Sequence, residues 1–253
     1  MIRPLRGIRR PLSLQTAFTA ERRCAACSSA FLPPARDDPA GPDAFCCPAC
    51  ANRLQRRSAG YCPLCGALAP SPRTPVFPCS ACLAKAPPWT RTFFHAAYDD
   101  LLRDLLLRFK FQGQISLALP LGAILASHPD LSACPADLII PIPLPAKRLA
   151  RRGFNQALEL ARPLARRLQK PLAAHLLLRT RSTAPQPGLS RSERFLNLAQ
   201  AFVAPSPAAV HNLHILLLDD IMTTGATFAA ASTILLAAGA RSISIAALGR
   251  TPE

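Results

Sequence analysis

Acidic residues and lysine are scarce in this sequence. Its 14 Asp and Glu residues stand against 30 Lys and Arg residues, which gives a formal net charge of +16, and only four of the basic residues are lysine. An excess of arginine suits phosphate, because the guanidinium group binds phosphate oxygens in a bidentate way. Two interpretations stay open: a surface that binds nucleic acid, and a compositional bias towards arginine that only solvates the surface.

Long apolar runs are also missing. No segment offers the ~18 consecutive apolar residues that a membrane span needs. The basic N-terminal segment MIRPLRGIRRPLSLQTAFTAERR has its apolar residues interrupted by Pro, Ser, Gln and Thr, so it lacks the core of a signal peptide. These absences predict a cytoplasmic protein, in which clustered cysteines hold metal more often than they form disulfides. Residues 1–20 are predicted to form a disordered arm.

Cysteine is scarce outside one short stretch, since nine of the ten cysteines lie between Cys24 and Cys82. This stretch is rich in Pro and Gly and cannot bury enough apolar area to fold unaided. It contains four CxxC pairs, and two such pairs complete a closed tetrahedral zinc site with four thiolates. We therefore expect two structural zinc ions. The predicted ligands are Cys24, Cys27, Cys47, Cys50, Cys62, Cys65, Cys79 and Cys82.

Two details of these metal sites stay open. Sequential pairing joins the first CxxC pair with the second and the third with the fourth, whereas a cross-brace would interleave them. Cys46 lies beside Cys47 and could replace it as a ligand.

Longer apolar segments follow the linker KAPPWT. The patterns predict strands at TFFHAAY, DLIIPIP, AAHLLLRT, HILLLDD and SISIAALGR, and helices at DDLLRDLLLRFKFQG, GFNQALELARPLARRLQ and TTGATFAAASTILLAAGA. Strands that are continuous apolar runs and alternate with helices indicate an α/β domain, with a parallel sheet covered on both faces.

The segment ILLLDDIMTTGAT, residues 215–227, joins a buried strand to a helix through an acidic pair and a hydroxyl-rich turn. Open α/β sheets bind ligands at the carboxyl ends of their strands. The N–H groups of a helix start favour phosphate, whereas carboxylates suit sugar hydroxyls or Mg²⁺ held through water. The candidate binding residues are Asp219, Asp220, Thr223, Thr224, Gly225, Ala226 and Thr227.

This segment resembles the phosphoribosyl-pyrophosphate (PRPP) motif of type I phosphoribosyltransferases, in which the acidic pair binds the ribose hydroxyls and the turn cradles the 5′-phosphate. With the blocks IIPIPLPAKRLARRGFNQA, TAPQPGLSRSERFLN and AAGARSISIAALGR, the chain from about Cys24 onward resembles the ComF family, also called GntX-like proteins. The resemblance implies a double zinc ribbon over residues 21–86 and a type I phosphoribosyltransferase-like domain over residues 91–253.

Two of these blocks resemble the remaining loops of a PRPP pocket. A proline-stiffened loop followed by cations suits a diphosphate, and it resembles the pyrophosphate loop, with candidate residues Pro141, Ile142, Pro143, Lys147 and Arg148. The segment 181–197 resembles by position the lid that closes over PRPP, with candidate contacts Thr183, Gln186, Arg191, Arg194 and Asn197. A solvated helix start and a plain surface connection are the alternatives.

The family resemblance implies binding of PRPP with Mg²⁺ and a role in DNA uptake during natural competence. An enzyme would transfer ribose 5-phosphate from PRPP to an acceptor that the sequence does not identify. The alternative is a non-catalytic factor that binds single-stranded nucleic acid and works with DNA-uptake proteins, although one Trp and two Tyr offer few stacking platforms for bases. Lys110 is predicted to be a surface lysine at a helix end.

Overall fold

The computed structural model describes residues 21–34, 41–180 and 201–252. The arm predicted for residues 1–20 and the lid predicted for residues 181–197 lie outside these ranges. Within them, no helix is long and apolar enough to cross a membrane.

The cysteine-rich part, residues 21–34 and 41–86 of the described chain, has little regular structure. Strands β1 (Arg22–Arg23) and β2 (Ala30–Phe31) pair antiparallel. Two short helices follow, α1 (Pro48–Arg53) and α2 (Ser80–Ala84), each beginning directly after a cysteine of a CxxC pair. The shortness of these elements agrees with a segment that depends on metal rather than on a large core.

A four-stranded parallel sheet forms the centre of the remaining chain. Its strands are β3 (Arg91–Ala97), β4 (Leu138–Pro141), β7 (His214–Met222) and β8 (Ser242–Arg250), in the spatial order β3, β8, β7, β4. Every neighbouring pair runs parallel. The predicted α/β fold class, a parallel sheet with flanking helices preceded by a cysteine-rich module, is confirmed.

In the part of the chain that the structure describes, five helices accompany the sheet. They are α3 (Asp100–Phe111), α4 (Ala118–Ala126), α5 (Ala146–Arg152), α6 (Gln156–Leu168) and α7 (Ala226–Ala237). The apolar segment that forms α4 carried no sequence prediction. This helix packs on α6 through Gly122, where an added Cβ would lie 2.2 Å from Cγ of Pro163. The absence of a side chain at Gly122 is what allows the two helices to approach so closely.

The strand predicted at AAHLLLRT is largely wrong. Residues Ala174–Leu176 form a 3₁₀ turn, and the strand β5 covers only Leu178–Arg179, paired antiparallel with β6 (Phe202–Val203). The apolar run buries Leu176 and Leu177, and it contacts the parallel sheet at its start, where the N–H of Ala173 donates to the carbonyl of Ile139 at 2.9 Å. Burial alone produced the pattern that indicated a strand.

The two faces of the sheet belong to two hydrophobic clusters. Leu216 and Leu218 of β7 pack in one cluster with residues of α3, α4 and α6 and with the first cysteines of the chain. Ile215 and Leu217 point to the other face and pack in a second cluster with α7. Since successive side chains of a strand alternate between faces, β7 is buried on both sides, as the unbroken apolar run predicts.

Candidate functional site

The acidic pair lies inside β7 rather than after it. The strand continues to Met222, because Asp219, Ile221 and Met222 still pair with β8. The backbone N–H of Asp220 donates to Oδ1 of Asp219 at 2.8 Å. Asp220 is buried, with 3% of its surface exposed, and Asp219 is half-buried. The two carboxylates therefore sit at the carboxyl edge of the sheet in a fixed arrangement.

Lys110 is not the surface lysine that the sequence predicts. Its Nζ lies 2.7 Å from Oδ2 of Asp220, and the two side chains are only 13% and 4% exposed. The C-terminal end of α3 brings the ammonium group over the sheet edge. A charge of opposite sign at this distance offsets the cost of burying the Asp220 carboxylate. Lys110 therefore belongs to the candidate site.

The two carboxylates do not share the same environment. Burial, and then the charge of neighbouring Asp220, raise the pKa of Asp219 to about 8. Two carboxylates this close do not ionise together readily unless a cation joins them. A cation or a hydroxyl donor that approaches Asp219 would favour its ionised form.

A glycine turn follows the acidic pair and opens α7. Gly225 has φ 77° and precedes the helix, and an added Cβ would lie 2.8 Å from Cε of Met222. Thr223 and Thr224 are exposed, and Oγ1 of Thr224 accepts a long hydrogen bond from the N–H of Ala226 at 3.4 Å. The turn thus places two exposed hydroxyls at the start of α7, whose first N–H groups lack carbonyl partners within the helix, and this arrangement suits an anion.

The predicted pyrophosphate loop adjoins this turn. Pro141 ends β4, and the N–H of Ile142 donates to the carbonyl of Leu218 at 2.8 Å, so the loop leaves the sheet next to the acidic pair. Nδ2 of Asn155 donates to the carbonyl of Ile142 at 3.1 Å and fixes the loop from the other side. Pro143 is half-buried, and Lys147 and Arg148 are exposed in α5.

Two further cations act on the acidic pair. Burial lowers the pKa of Arg152, and the charges of Asp219 and Asp220 act on it in the opposite sense. Burial likewise lowers the pKa of Arg179, on which Arg148 and Asp219 also act. The sequence gives no sign of a role for Arg179, because β5 is far from β7 along the chain and Arg179 lies in no local motif. The site is therefore a carboxylate pair on which three cations act electrostatically: Lys110, Arg152 and Arg179.

The cysteines form two separate groups. The Sγ atoms within each group all lie within 4.8 Å of one another. The first quartet is Cys24, Cys27, Cys47 and Cys50, and the second quartet is Cys62, Cys65, Cys79 and Cys82. The grouping follows the sequential pairing rather than the cross-brace, and it includes Cys47 rather than Cys46.

The donor chemistry of both quartets fits a metal ion. The hydroxyl of Ser29 lowers the pKa of Cys27 to about 6. Burial opposes ionisation of Cys62, yet backbone N–H groups, including those of two further cysteines, lower its pKa to about 7. Burial raises the pKa of Cys50 and Cys82, and neighbouring thiols raise it further. Each quartet thus ionises fully only around a cation, and thiolate sulfur is the donor that zinc prefers.

The first quartet is attached to the sheet through α3 and β3. Nη1 and Nη2 of Arg108 donate to the carbonyls of Ala26 and Ala25 at 2.6 and 3.3 Å, inside the first CxxC loop. Nε2 of His95 in β3 lies 2.6 Å from the carbonyl of Leu54, directly after the helix that carries Cys50. The cysteine-rich part is therefore packed against the sheet that bears the acidic pair.

Several named proteins are similar to this chain over most of its length. DNA utilization protein YhgH of Salmonella typhimurium is 35% identical over 210 residues, which cover 81% of this chain and 90% of that protein. Competence protein F of Haemophilus influenzae is 34% identical over 179 residues, covering 68% and 78%. Competence protein ComFC of Bacillus subtilis is 28% identical over 213 residues, covering 78% and 80%. No protein-family model matches the chain.

Proposed function

Because this chain belongs to the ComF family, we propose that it binds PRPP with Mg²⁺ at the carboxyl edge of its parallel sheet. The observation that carries the proposal is the adjacency of the β7 carboxylates to the glycine turn that opens α7. Carboxylates accept hydrogen bonds from sugar hydroxyls, and the free N–H groups of a helix start bind phosphate. One ligand that needs both is a phosphorylated ribose.

The proposal assigns each part of PRPP to its own surface. Asp219 and Asp220 hold the ribose hydroxyls, and residues 223–227 hold the 5′-phosphate. The loop of residues 141–148 holds the pyrophosphate, with Lys147 and Arg148 as its exposed cations. Lys110 neutralises Asp220, so that the carboxylate pair does not repel the anionic ligand with its full charge.

As an enzyme, the protein would transfer ribose 5-phosphate to a nucleophile. The bond from C1 of ribose to pyrophosphate breaks, a bond from C1 to the acceptor forms, and pyrophosphate leaves. Mg²⁺, which the carboxylates of Asp219 and Asp220 would help to hold through water, would supply positive charge for the leaving pyrophosphate. The chain's own residues contribute orientation and charge: the acidic pair fixes the ribose, and the surrounding cations stabilise the departing oxygens.

Calorimetric titration with Mg²⁺–PRPP tests the binding proposal. We expect the double variant Asp219→Asn with Asp220→Asn to lose at least about a hundredfold in affinity. Asp104→Asn, which changes an exposed acidic residue of α3, is the matched control and should bind as the unchanged protein does. Equal affinity in all three proteins would refute the proposal. Release of pyrophosphate, measured with and without candidate acceptors, separates turnover from binding alone.

We also propose that each quartet binds one structural zinc ion. Four thiolates close the coordination shell and leave no position for a reacting water. Elemental analysis of the purified protein should give two zinc ions per chain. A metal content near zero, in protein that is folded by circular dichroism, would contradict this.

A role in DNA uptake is supported by the relatives, which are named for DNA utilization and competence. One observation favours direct binding of single-stranded DNA as a second candidate function. Helices α5 and α6 present exposed arginines at Arg151, Arg162, Arg166 and Arg167. Such a basic face attracts the phosphates of a strand without reading its bases.

Fluorescence anisotropy with a labelled single-stranded oligonucleotide tests this second function. Affinity should fall steeply with added salt, because bound phosphates release their counterions. The double variant Arg166→Glu with Arg167→Glu should weaken binding and flatten the salt dependence, whereas Arg103→Glu on the exposed side of α3 should not. Binding that is equally strong in both variants would show that the α6 face is not the site.

A further inference from the structure

Trp89 is the single tryptophan of the chain, and its indole N–H points at the second quartet. Nε1 donates to the carbonyl of Leu64 at 2.5 Å and lies 3.1 Å from Oγ1 of Thr92. Leu64 lies in the loop between Cys62 and Cys65. The same loop accepts a backbone hydrogen bond from Thr92 at 2.9 Å, at the carbonyl of Pro63. The first strand of the sheet and the indole therefore hold the metal-binding loop from one side.

The benzene ring of the same indole lies against the glycine turn. An added Cβ on Gly225 would lie 3.3 Å from Cη2 and 3.9 Å from Cζ2 of Trp89, and 2.8 Å from Cε of Met222. Trp89 is 7% exposed and belongs to the same hydrophobic cluster as Met222. A rigid bicyclic ring therefore lies between the carbonyl of Leu64 and the turn at Gly225.

A second path connects the same two places. Nε of Arg250 donates to the carbonyl of Cys65 at 3.2 Å, and its Nη1 donates to the carbonyl of Thr251 at 2.8 Å. The N–H of Thr251 donates in turn to the carbonyl of Met222 at 3.0 Å. Arg250 is 2% exposed, so these hydrogen bonds form away from water, where they are strongest. Both paths end at the residues that begin the glycine turn.

We propose that Trp89 is a positioning residue that joins the second quartet to the glycine turn of residues 223–227. Binding of metal by the quartet fixes the loop between Cys62 and Cys65, the indole transmits that position, and the turn keeps its N–H groups aimed at the ligand phosphate. The coupling rests on the proposed function only in its last step, since the contacts from metal loop to turn exist whatever the turn binds. The second quartet thus shapes the phosphate end of the pocket.

Amide hydrogen exchange of the full-length, metal-loaded protein tests the coupling without any ligand. Trp89→Phe keeps an aromatic ring but removes the N–H donor and the ring edge at Gly225. We expect the amides of Ala229 and Thr251, which donate to the carbonyls of Gly225 and Met222 at the two ends of the turn, to exchange about tenfold faster relative to α6. Phe109→Leu, which alters a fully buried ring of the other cluster, is the matched control and should show no selective rise at the turn.

The metal end of the coupling is tested by one cysteine from each quartet. Cys82→Ser should raise exchange of the Ala229 and Thr251 amides relative to α6, whereas Cys50→Ser, which loosens the cluster that contains α6, should not raise that ratio. The same ratio in both variants, or an unchanged turn in Trp89→Phe, overturns the proposal. If Cys82→Ser does not fold, the Trp89→Phe comparison still decides it.

Ligand binding separates a positioning role from a merely structural one. Ribose 5-phosphate should bind about tenfold more weakly to Trp89→Phe, while pyrophosphate, assigned to the other loop, should keep its affinity within about twofold. Equal weakening of both ligands contradicts positioning by Trp89. Failure of both ligands and of PRPP to bind the unchanged protein refutes the proposed function instead, and the exchange experiment then decides the coupling by itself.

Discussion

The two cysteine quartets resemble each other in sequence but are attached to the sheet in different ways. Cys24 and Cys50 of the first quartet belong to the hydrophobic cluster that contains α3, α4 and α6. In the described ranges, Cys62 and Cys82 of the second quartet are buried but join neither hydrophobic cluster. The first quartet is part of a core, and the second is held by directional hydrogen bonds. Stability should therefore depend on the first, and geometry of the glycine turn on the second.

Removing one ligand from each quartet is the strongest test of this difference between the two quartets. Cys50→Ser should lower the free energy of unfolding by about 4 kcal/mol, because loss of a metal opens the core around it. Cys82→Ser should cost clearly less. Urea unfolding followed by circular dichroism measures both, with Cys134→Ser, a buried cysteine outside the quartets, as the control. A larger loss for Cys82→Ser than for Cys50→Ser would reverse the assignment.

Lys110 tests the contribution of α3, the helix that holds the first quartet, to the stability of the acidic pair. It lies two residues beyond Arg108, which holds the first CxxC loop. Lys110→Met leaves a buried carboxylate without its partner and should cost about 3 kcal/mol at pH 8. The pKa of Asp219 is already raised, so the acidic pair takes up a proton as the pH falls. That proton reduces the repulsion between the two carboxylates, and the loss of stability in Lys110→Met should shrink towards pH 6. Lys85→Met, at an exposed lysine, should leave the free energy of unfolding unchanged. A loss of stability in Lys110→Met that does not depend on pH would contradict this account.

His95 makes the attachment of the first quartet sensitive to acid. Burial, with a contribution from the charge of Arg56, lowers the pKa of His95 to about 4 from the ordinary 6.5. The unfolded chain therefore binds the proton first, and His95 by itself should lower the unfolding free energy by about 2 kcal/mol between pH 7 and pH 5.

The histidine variants isolate that effect. His95→Gln retains a donor for the carbonyl of Leu54 but does not titrate, so its stability should depend less on pH in urea unfolding at the two pH values. His175→Gln, at an exposed histidine, should behave like the unchanged protein. Identical pH slopes in all three proteins would exclude His95 as the source.

The smallest effect is expected at the surface ion pair between the cysteine-rich part and α3. Nη2 of Arg53 lies 2.5 Å from Oδ1 of Asp100, but both side chains are about half exposed. Solvent screening makes such a pair weak, so Arg53→Met should leave the thermal midpoint unchanged within error. A drop comparable to that of Cys50→Ser would mean that the first quartet is attached by charge rather than by its core.

Local pattern predicted the sheet well and the pairing of distant groups poorly. The strands at residues 91–97, 214–222 and 242–250 follow from segments rich in apolar residues, which burial on both faces favours. The ion pair of Lys110 with Asp220 joins positions far apart in the chain. An amphipathic helix end contains nothing that reveals such a contact. Spacing likewise left the pairing of the CxxC motifs open, because both arrangements satisfy the same tetrahedral geometry.

The candidate site shows the same contrast between local sequence patterns and contacts of distant residues. The acidic pair and the glycine turn were predictable because their chemistry lies in one contiguous segment, residues 215–227. Arg179 was not, because only the fold brings β5 near β7. In the sequence, Trp89 lies in the linker KAPPWT, which carries no motif. Its two contacts are made by different parts of one indole: the N–H donates to Leu64, and the benzene ring lies against Gly225.

The strand order also fixes when the sheet can form as the chain is made. β8 lies between β3 and β7, and in the described part of the chain β3 pairs with no other strand. Residues 91–97 must therefore wait for residues 242–250. At translation speeds of roughly 5 to 20 residues per second, that delay is on the order of 10 to 30 s. During this interval an apolar strand stands unpaired on the nascent polypeptide, which makes it a natural point of contact for a ribosome-associated chaperone.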